Sequence, residues 1–325
     1  MSIHSIWDEF PDLEKELKQT RQLIFNKIFI RNQQVNDAAK GIFQSSGKMI
    51  RPAYSLLFSQ LGPKSEPERA RVMAAAIEVF HNATLIHDDI IDEGDIRRGT
   101  PTIQAAHGKK SAVYAGDYLL SVCFRMTHPY RQIIDVQGIL TRAMERVIGG
   151  ELHQLDQSYN QDMTIRRYLT QIRGKTAELF ALACYGGAME SNMSIKEQWL
   201  CYRIGAQIGM AFQLMDDLLE YTQDESVWEK TMFQDFRNGI YTAPILFSMK
   251  RSPAFFKEQF AKQDYTEQDV IEIRKKLKYT EGIKSAFQLA ERYTSKALVL
   301  IEQLPDNKSK KDIEKLTKLL LHRQL

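Results

Sequence analysis

Apolar residues recur every three or four positions along most of this chain. The pattern predicts helices over 7–31, 36–45, 50–61, 66–93, 109–127, 131–158, 163–188, 193–222, 240–251, 266–277, 280–303 and 308–323. No segment alternates apolar and polar residues long enough, between turn pairs, to read as a strand. Pro52, Pro63, Pro101, Pro244, Pro253 and Pro305 fall at or near the breaks, as helix punctuation should. The stretches 66–93 and 203–221 are apolar around most of their circumference, which places them in the middle of a bundle. No Gly/Ser linker and no block of like charge marks a border, so the expectation is a single all-α domain over residues 1–325.

Composition narrows this picture. Hydrophobic residues make up 43% and charged residues 26%, enough for a large core under a solvated surface. The net charge of +3 comes from dispersed Lys and Arg, so no nucleic-acid footprint is expected. Cys123, Cys184 and Cys201 have no metal-ligand spacing and read as reduced, buried thiols of a cytoplasmic protein. The N-terminal residues mix both charge signs without an apolar stretch, so no signal peptide is expected, and no apolar run is long enough to span a membrane.

The chemistry concentrates in two acidic clusters of one spacing. Asp88-Asp89-Ile90-Ile91-Asp92 and Asp216-Asp217-Leu218-Leu219-Glu220 each place acids at i, i+1 and i+4, framed by apolar residues. On a helix the first and last acids lie within about 40° of each other and the middle one about 100° away. Carboxylates so crowded repel one another, and hard divalent cations with oxygen ligands are the natural remedy. Both clusters close a predicted central helix, so they are expected at a polar mouth above an apolar interior.

Cations accompany the acids. Arg97-Arg98, pinned between Gly94 and the Gly99-Thr100-Pro101 turn, offers forked donors suited to diphosphate oxygens. Ser46-Gly47-Lys48-Met49-Ile50-Arg51-Pro52 puts Lys48 and Arg51 on one face of a helix start, where backbone N–H groups favour anions too. Lys175-Thr176 lies inside an apolar helix, where a lysine needs a partner. Gln213 shares a face with Asp216, and His81 shares one with Asp88. Singly, each is ordinary; together they describe a mouth that holds two diphosphates through Mg2+.

The segments GKMIRP, DDIID, RRGTP, GDYLL, GELHQ, KTAELF and FQLMDDLLEY, in that order over about 46–245, resemble the trans-isoprenyl (polyprenyl) diphosphate synthases. The resemblance implies an isoprenoid-synthase-type bundle of a dozen or so helices around a central cavity, usually dimeric. It implies that Asp88, Asp89 and Asp92 form one metal motif and Asp216, Asp217 and Glu220 the other, together holding a trinuclear Mg2+ cluster on an allylic diphosphate. Arg97, Lys175, Thr176, Gln213 and Lys230 would bind that allylic diphosphate. Lys48, Arg51, His81 and Arg98 would bind isopentenyl diphosphate. The implied reaction ionises the allylic C–O bond, adds the isopentenyl double bond to the cation, and loses a proton to the released diphosphate. Bulky residues just before the first acid stop chain growth early in this family. Thr84 and Ala83 stand there and are small, which implies a product of about six to eight isoprene units.

Three departures qualify the resemblance. Glu220 stands where Asp is usual, Ser46 stands where the family often has glycine, and Ile240 replaces the lysine of a G-K-x-T-x-P segment at Gly239–Pro244. The missing lysine points to the large subunit of a two-component heptaprenyl or hexaprenyl diphosphate synthase, serving quinone side-chain synthesis with a small, motif-poor partner. A homodimeric long-chain synthase is the alternative. A class I terpene cyclase would not need the paired arginines, and a non-catalytic subunit would have lost its acids. Contact with a membrane is expected only peripherally, for release of product.

Overall fold

The computed structural model describes residues 3–44, 47–130, 136–221, 238–262 and 266–321. Its helices are α1 Pro11–Lys27, α2 Gln33–Gln44, α3 Ile50–Phe58, α4 Pro67–Ile91, α5 Ile103–His107, α6 Lys109–Thr127, α7 Val136–Gln157, α8 Ile165–Ile172, α9 Glu178–Met189 and α10 Ile195–Glu220. They continue with α11 Ala243–Arg251, α12 Pro253–Phe260, α13 Glu267–Tyr279, α14 Gly282–Ile301 and α15 Lys308–Leu321. The one pair of strands among the described residues is a two-residue ribbon, β1 Ile96–Arg97 against β2 Thr100–Pro101. The all-α expectation holds.

The boundaries moved where backbone chemistry overrides periodicity. The stretch 7–31 divides into a 3-10 turn, Ser5–Glu9, and α1, because Phe10 precedes Pro11 and is held out of the helical region at φ −136°. Pro253 opens α12 instead of merely ending α11: its fixed φ and missing N–H suit the first turn of a helix. The stretch 163–188 is interrupted by a π-helical turn at Arg173–Ala177, which separates α8 from α9.

The chain packs as two compact units, one comprising 1–142, 182–202 and 304–313, the other 143–181, 203–303 and 314–325. In the first, α4 is the centre: α1, α3 and α6 pack against it. Its residues from Val72 to Phe80 are all buried, so one helix supplies core to several neighbours. Small side chains (Ala74, Ala75, Ala76) let those neighbours approach closely. In the second unit α11 packs on α14 and α8. The approach at Gly282 is so close that a Cβ there would fall 2.1 Å from Ser248 Oγ and 2.4 Å from the Pro244 carbonyl oxygen. Tyr168, Leu214, Leu218, Tyr241 and Phe256 belong to one apolar cluster of this unit.

Candidate active site

Both acidic clusters close long helices, and neither α4 nor α10 carries a basic residue in its last turn. Helix C-termini carry partial negative charge, so these carboxylates sit where their own helices oppose them. All their donors are oxygens. Hard divalent cations fit such donors. Among the described residues no three acidic, imidazole or thiol side chains converge as a ready-made metal cluster.

In the first unit the middle acid has a protein partner. Arg97 Nε donates to Asp89 Oδ1 at 2.7 Å, while burial raises the Asp89 carboxyl from its usual range against the opposing pull of that guanidinium. Asp88 is half-buried and Asp92 is exposed at the helix end. The β1–β2 ribbon carries Arg97 and turns through Arg98 and Gly99, at φ 52° and 77°. Positive φ at both central residues is the mark of a type I′ turn, and it is uncommon for an arginine.

The cations of this unit converge. Arg51 Nη1 lies 3.1 Å from His81 Nε2. Arginine can only donate, so His81 Nε2 is the acceptor and the ring is neutral there. Burial, then the charges of Arg51, Arg98 and Arg97, hold the His81 pKa well below its usual value. Arg98 closes over the other basic segment: a Cβ on Gly47 would fall 2.7 Å from Arg98 Nη1. Lys48 is tied down by its backbone, whose carbonyl accepts from Trp7 Nε1 at 3.0 Å. Met49 adopts φ 49° between Lys48 and α3. Glu78 is buried at 8% exposure and accepts from Asn82 at 3.2 Å; burial raises its pKa, against the pull of Arg51. A pocket open at its mouth is lined by Asn82, Asp89, Arg97, Arg98 and apolar residues of α2 and α5.

The second unit builds a different surrounding. Lys175 Nζ reaches Glu151 Oε2 at 2.9 Å and Gln154 Oε1 at 3.3 Å, the partners a lysine in an apolar helix requires. It reaches them because α7 and the π turn touch at glycines: a Cβ on Gly150 would fall 2.6 Å from the Lys175 backbone nitrogen. Thr176 Oγ1 donates to Gln213 Oε1 at 2.7 Å, and Gln213 Nε2 donates to Asp217 Oδ1 at 2.8 Å. Gln213 therefore pairs with Asp217, one turn on, rather than with Asp216. Tyr168 Oη donates to the other oxygen, Asp217 Oδ2. Asp217 is 5% exposed, whereas Asp216 beside it is exposed. Lys175, Gln213, Asp217, Tyr168 and Ile240 line one cavity. Position 240 thus does face this pocket, with an apolar side chain in place of an amine.

Of the residues the sequence singled out, Lys230 and Ser46 lie outside the described residues, as does the side chain of Glu220. Ala83 has no accessible surface, and the half-buried Thr84 turns its hydroxyl to the His81 carbonyl at 2.8 Å. Tyr168 and Glu78 were not anticipated. Each looks like an ordinary helix position, and only the fold brings its polar atom to the site.

A family model for polyprenyl synthetases matches residues 32–277. The chain belongs to the polyprenyl synthetase family. The activity is trans-prenyl transfer, and the fold is that of the all-α polyprenyl synthases. The chain is 32% identical to heptaprenyl diphosphate synthase component 2 of Geobacillus stearothermophilus over 93% of this chain and 92% of that one. Among solved structures it resembles geranylgeranyl pyrophosphate synthase from Lactobacillus brevis ATCC 367, with a TM-score of 0.94 and 38% identity, covering 98% of this chain and 99% of that one. It also resembles a polyprenyl synthase from Caulobacter crescentus CB15 complexed with calcium and isoprenyl diphosphate, at a TM-score of 0.86 and 27% identity over 96% of each chain. No helix among the described residues of this polyprenyl synthetase is long and apolar enough to cross a membrane.

Proposed function

We propose that this polyprenyl synthetase condenses isopentenyl diphosphate onto an allylic diphosphate, with farnesyl diphosphate as the starter, and is the catalytic subunit of a two-component synthase for quinone side chains acting in the cytoplasm. The observation that carries this is the presence of two separate sets of anion-binding groups, Arg51–His81–Arg98 in one unit and Lys175–Gln213 in the other. A terpene cyclase, with one diphosphate to hold, needs only one. Lys48, Arg51 and Arg98 hold the isopentenyl diphosphate, and neutral His81 adds an N–H donor without adding charge. Lys175 and Gln213 hold the allylic diphosphate, joined by Thr176, Arg97 and Lys230. Asp88, Asp92 and Asp216 carry the charge that recruits Mg2+, about three ions by family resemblance, which when bound neutralises the departing diphosphate. The apolar walls keep water from the allylic cation, and the released diphosphate takes the proton.

Small Ala83 and Thr84 support a product of about six to eight isoprene units. Ile240 and the likeness to a relative named component 2 support a small partner subunit. A second reading, a homodimer making geranylgeranyl diphosphate, is favoured by the name of the Lactobacillus brevis neighbour and by the absence of accessible surface on Ala83. Incubating the purified chain with farnesyl diphosphate, isopentenyl diphosphate and Mg2+, alone and with small partner candidates, separates the two. Long product on mixing alone is expected; strong synthesis of geranylgeranyl diphosphate by the lone chain would establish the second reading. Ala83→Phe is expected to shorten the long product.

A further inference from the structure

Asp217 is the most enclosed acid of the two clusters, and both of its oxygens are taken by protein donors: Tyr168 Oη on one side and Gln213 Nε2, at 2.8 Å, on the other. A carboxylate only accepts, so the Gln213 amide must turn its NH2 group toward it. That orientation leaves Gln213 Oε1 to accept from Thr176 Oγ1, at 2.7 Å. It also leaves the second amide N–H of Gln213 uncommitted by these bonds, in the cavity it shares with Lys175 and Ile240. Tyr168 anchors the chain of bonds from outside: it is 3% exposed, its ring packed in the apolar cluster with Leu214 and Leu218, so the phenol cannot swing away without vacating core.

We propose that Tyr168 is a positioning residue for the allylic diphosphate: by holding Asp217 it fixes which way the Gln213 amide faces, and so presents a Gln213 N–H beside Lys175 to a diphosphate oxygen. The proposal rests on the reading of this cavity as the allylic site. Ile240 gives it weight, since a pocket wall without an amine leaves more of the anion's recognition to the amide.

The test is Tyr168→Phe in the full chain, with Mg2+ and inorganic pyrophosphate as the binding probe in calorimetry and both substrates in steady-state kinetics. The expected result is a roughly tenfold loss of pyrophosphate affinity and a similar rise in KM for the allylic substrate, with KM for isopentenyl diphosphate unchanged. Because Tyr168 acts through Asp217, Tyr168→Phe combined with Asp217→Asn should be no worse than Asp217→Asn alone. Equal rises in both KM values, or effects that multiply in the double variant, would overturn the proposal. Absence of condensation by the native chain, both alone and mixed with small partner candidates, would instead defeat the reading of the site, and the pyrophosphate titration would still decide the role of Tyr168. If Tyr168→Phe does not fold, 3-fluorotyrosine at position 168 changes donor strength while keeping the ring; an unchanged pyrophosphate affinity would then overturn the proposal.

Discussion

The two acidic clusters share a spacing and differ in how their middle acid is held. Asp89 is met by a guanidinium from the short β1–β2 ribbon, and that side chain is 37% exposed. Asp217 is enclosed and met by a phenol and an amide, both from helices. In each cluster the middle acid is held by a named protein donor; Asp216 is exposed beside its buried neighbour, and Asp88 is half-buried. The i, i+1, i+4 pattern therefore does not make three equal ligands. The middle position points about 100° away from the first, toward the packing side, and serves as an anchor. One cluster is anchored by a half-exposed charge on a two-residue ribbon, the other by core.

The largest test of this division compares acids within each cluster. Asp88→Asn and Asp216→Asn should each lower kcat by roughly a thousandfold, because charge that recruits the metal is lost. Asp89→Asn and Asp217→Asn should cost roughly 10- to 100-fold, the range for groups that orient a metal site from behind it. Equal losses for first and middle acids, in rates of product formation, would erase the distinction.

The next test sets a backbone contact against a side-chain contact. A Cβ on Gly150 meets the Lys175 backbone at 2.6 Å, which cannot yield cheaply, so Gly150→Ala should lower stability by about 1–3 kcal/mol in chemical denaturation and raise KM for the allylic substrate. A Cβ on Gly47 meets the far end of Arg98, which can swing aside. Gly47→Ala should leave stability within about 0.5 kcal/mol and raise KM for isopentenyl diphosphate alone.

The smallest expected effect is in pH dependence, and it is read at His81 of the first unit, since no histidine among the described residues lines the Asp217 cavity. His81 has its folded pKa depressed, so the unfolded chain binds its proton more readily. Its contribution to stability is full above the unfolded value of about 6.5 and is lost as pH falls from there toward the folded pKa, at up to about 1.4 kcal/mol per pH unit. Melting curves of His81→Gln between pH 7 and 5 should show a shallower decline than those of the native chain. Parallel declines would mean that His81 takes its proton without penalty.

Much of this could be read along the chain because helices are local objects. Apolar periodicity located α4, α6, α10, α13, α14 and α15 to within a few residues, and the ordered motifs located most of the groups that line the two pockets. The errors have local causes of another kind: a residue before proline at Phe10, a proline that starts rather than ends a helix at Pro253, and an extra backbone residue in the π turn at Arg173–Ala177. Hydrophobic patterning carries no information on any of them.

By itself, the sequence determined the helical class, the clusters and their charge at the wrong ends of their helices, and the family to which those motifs belong. What only the tertiary structure decided is how the middle acids are held and by what. Tyr168 and Asp217 are far apart in sequence, as are Lys175 and Glu151, and Arg51 and His81. Their pairing follows from which helix faces pack together and how closely glycine lets them approach. A spacing rule sees one helix at a time, and each of these bonds is made by two.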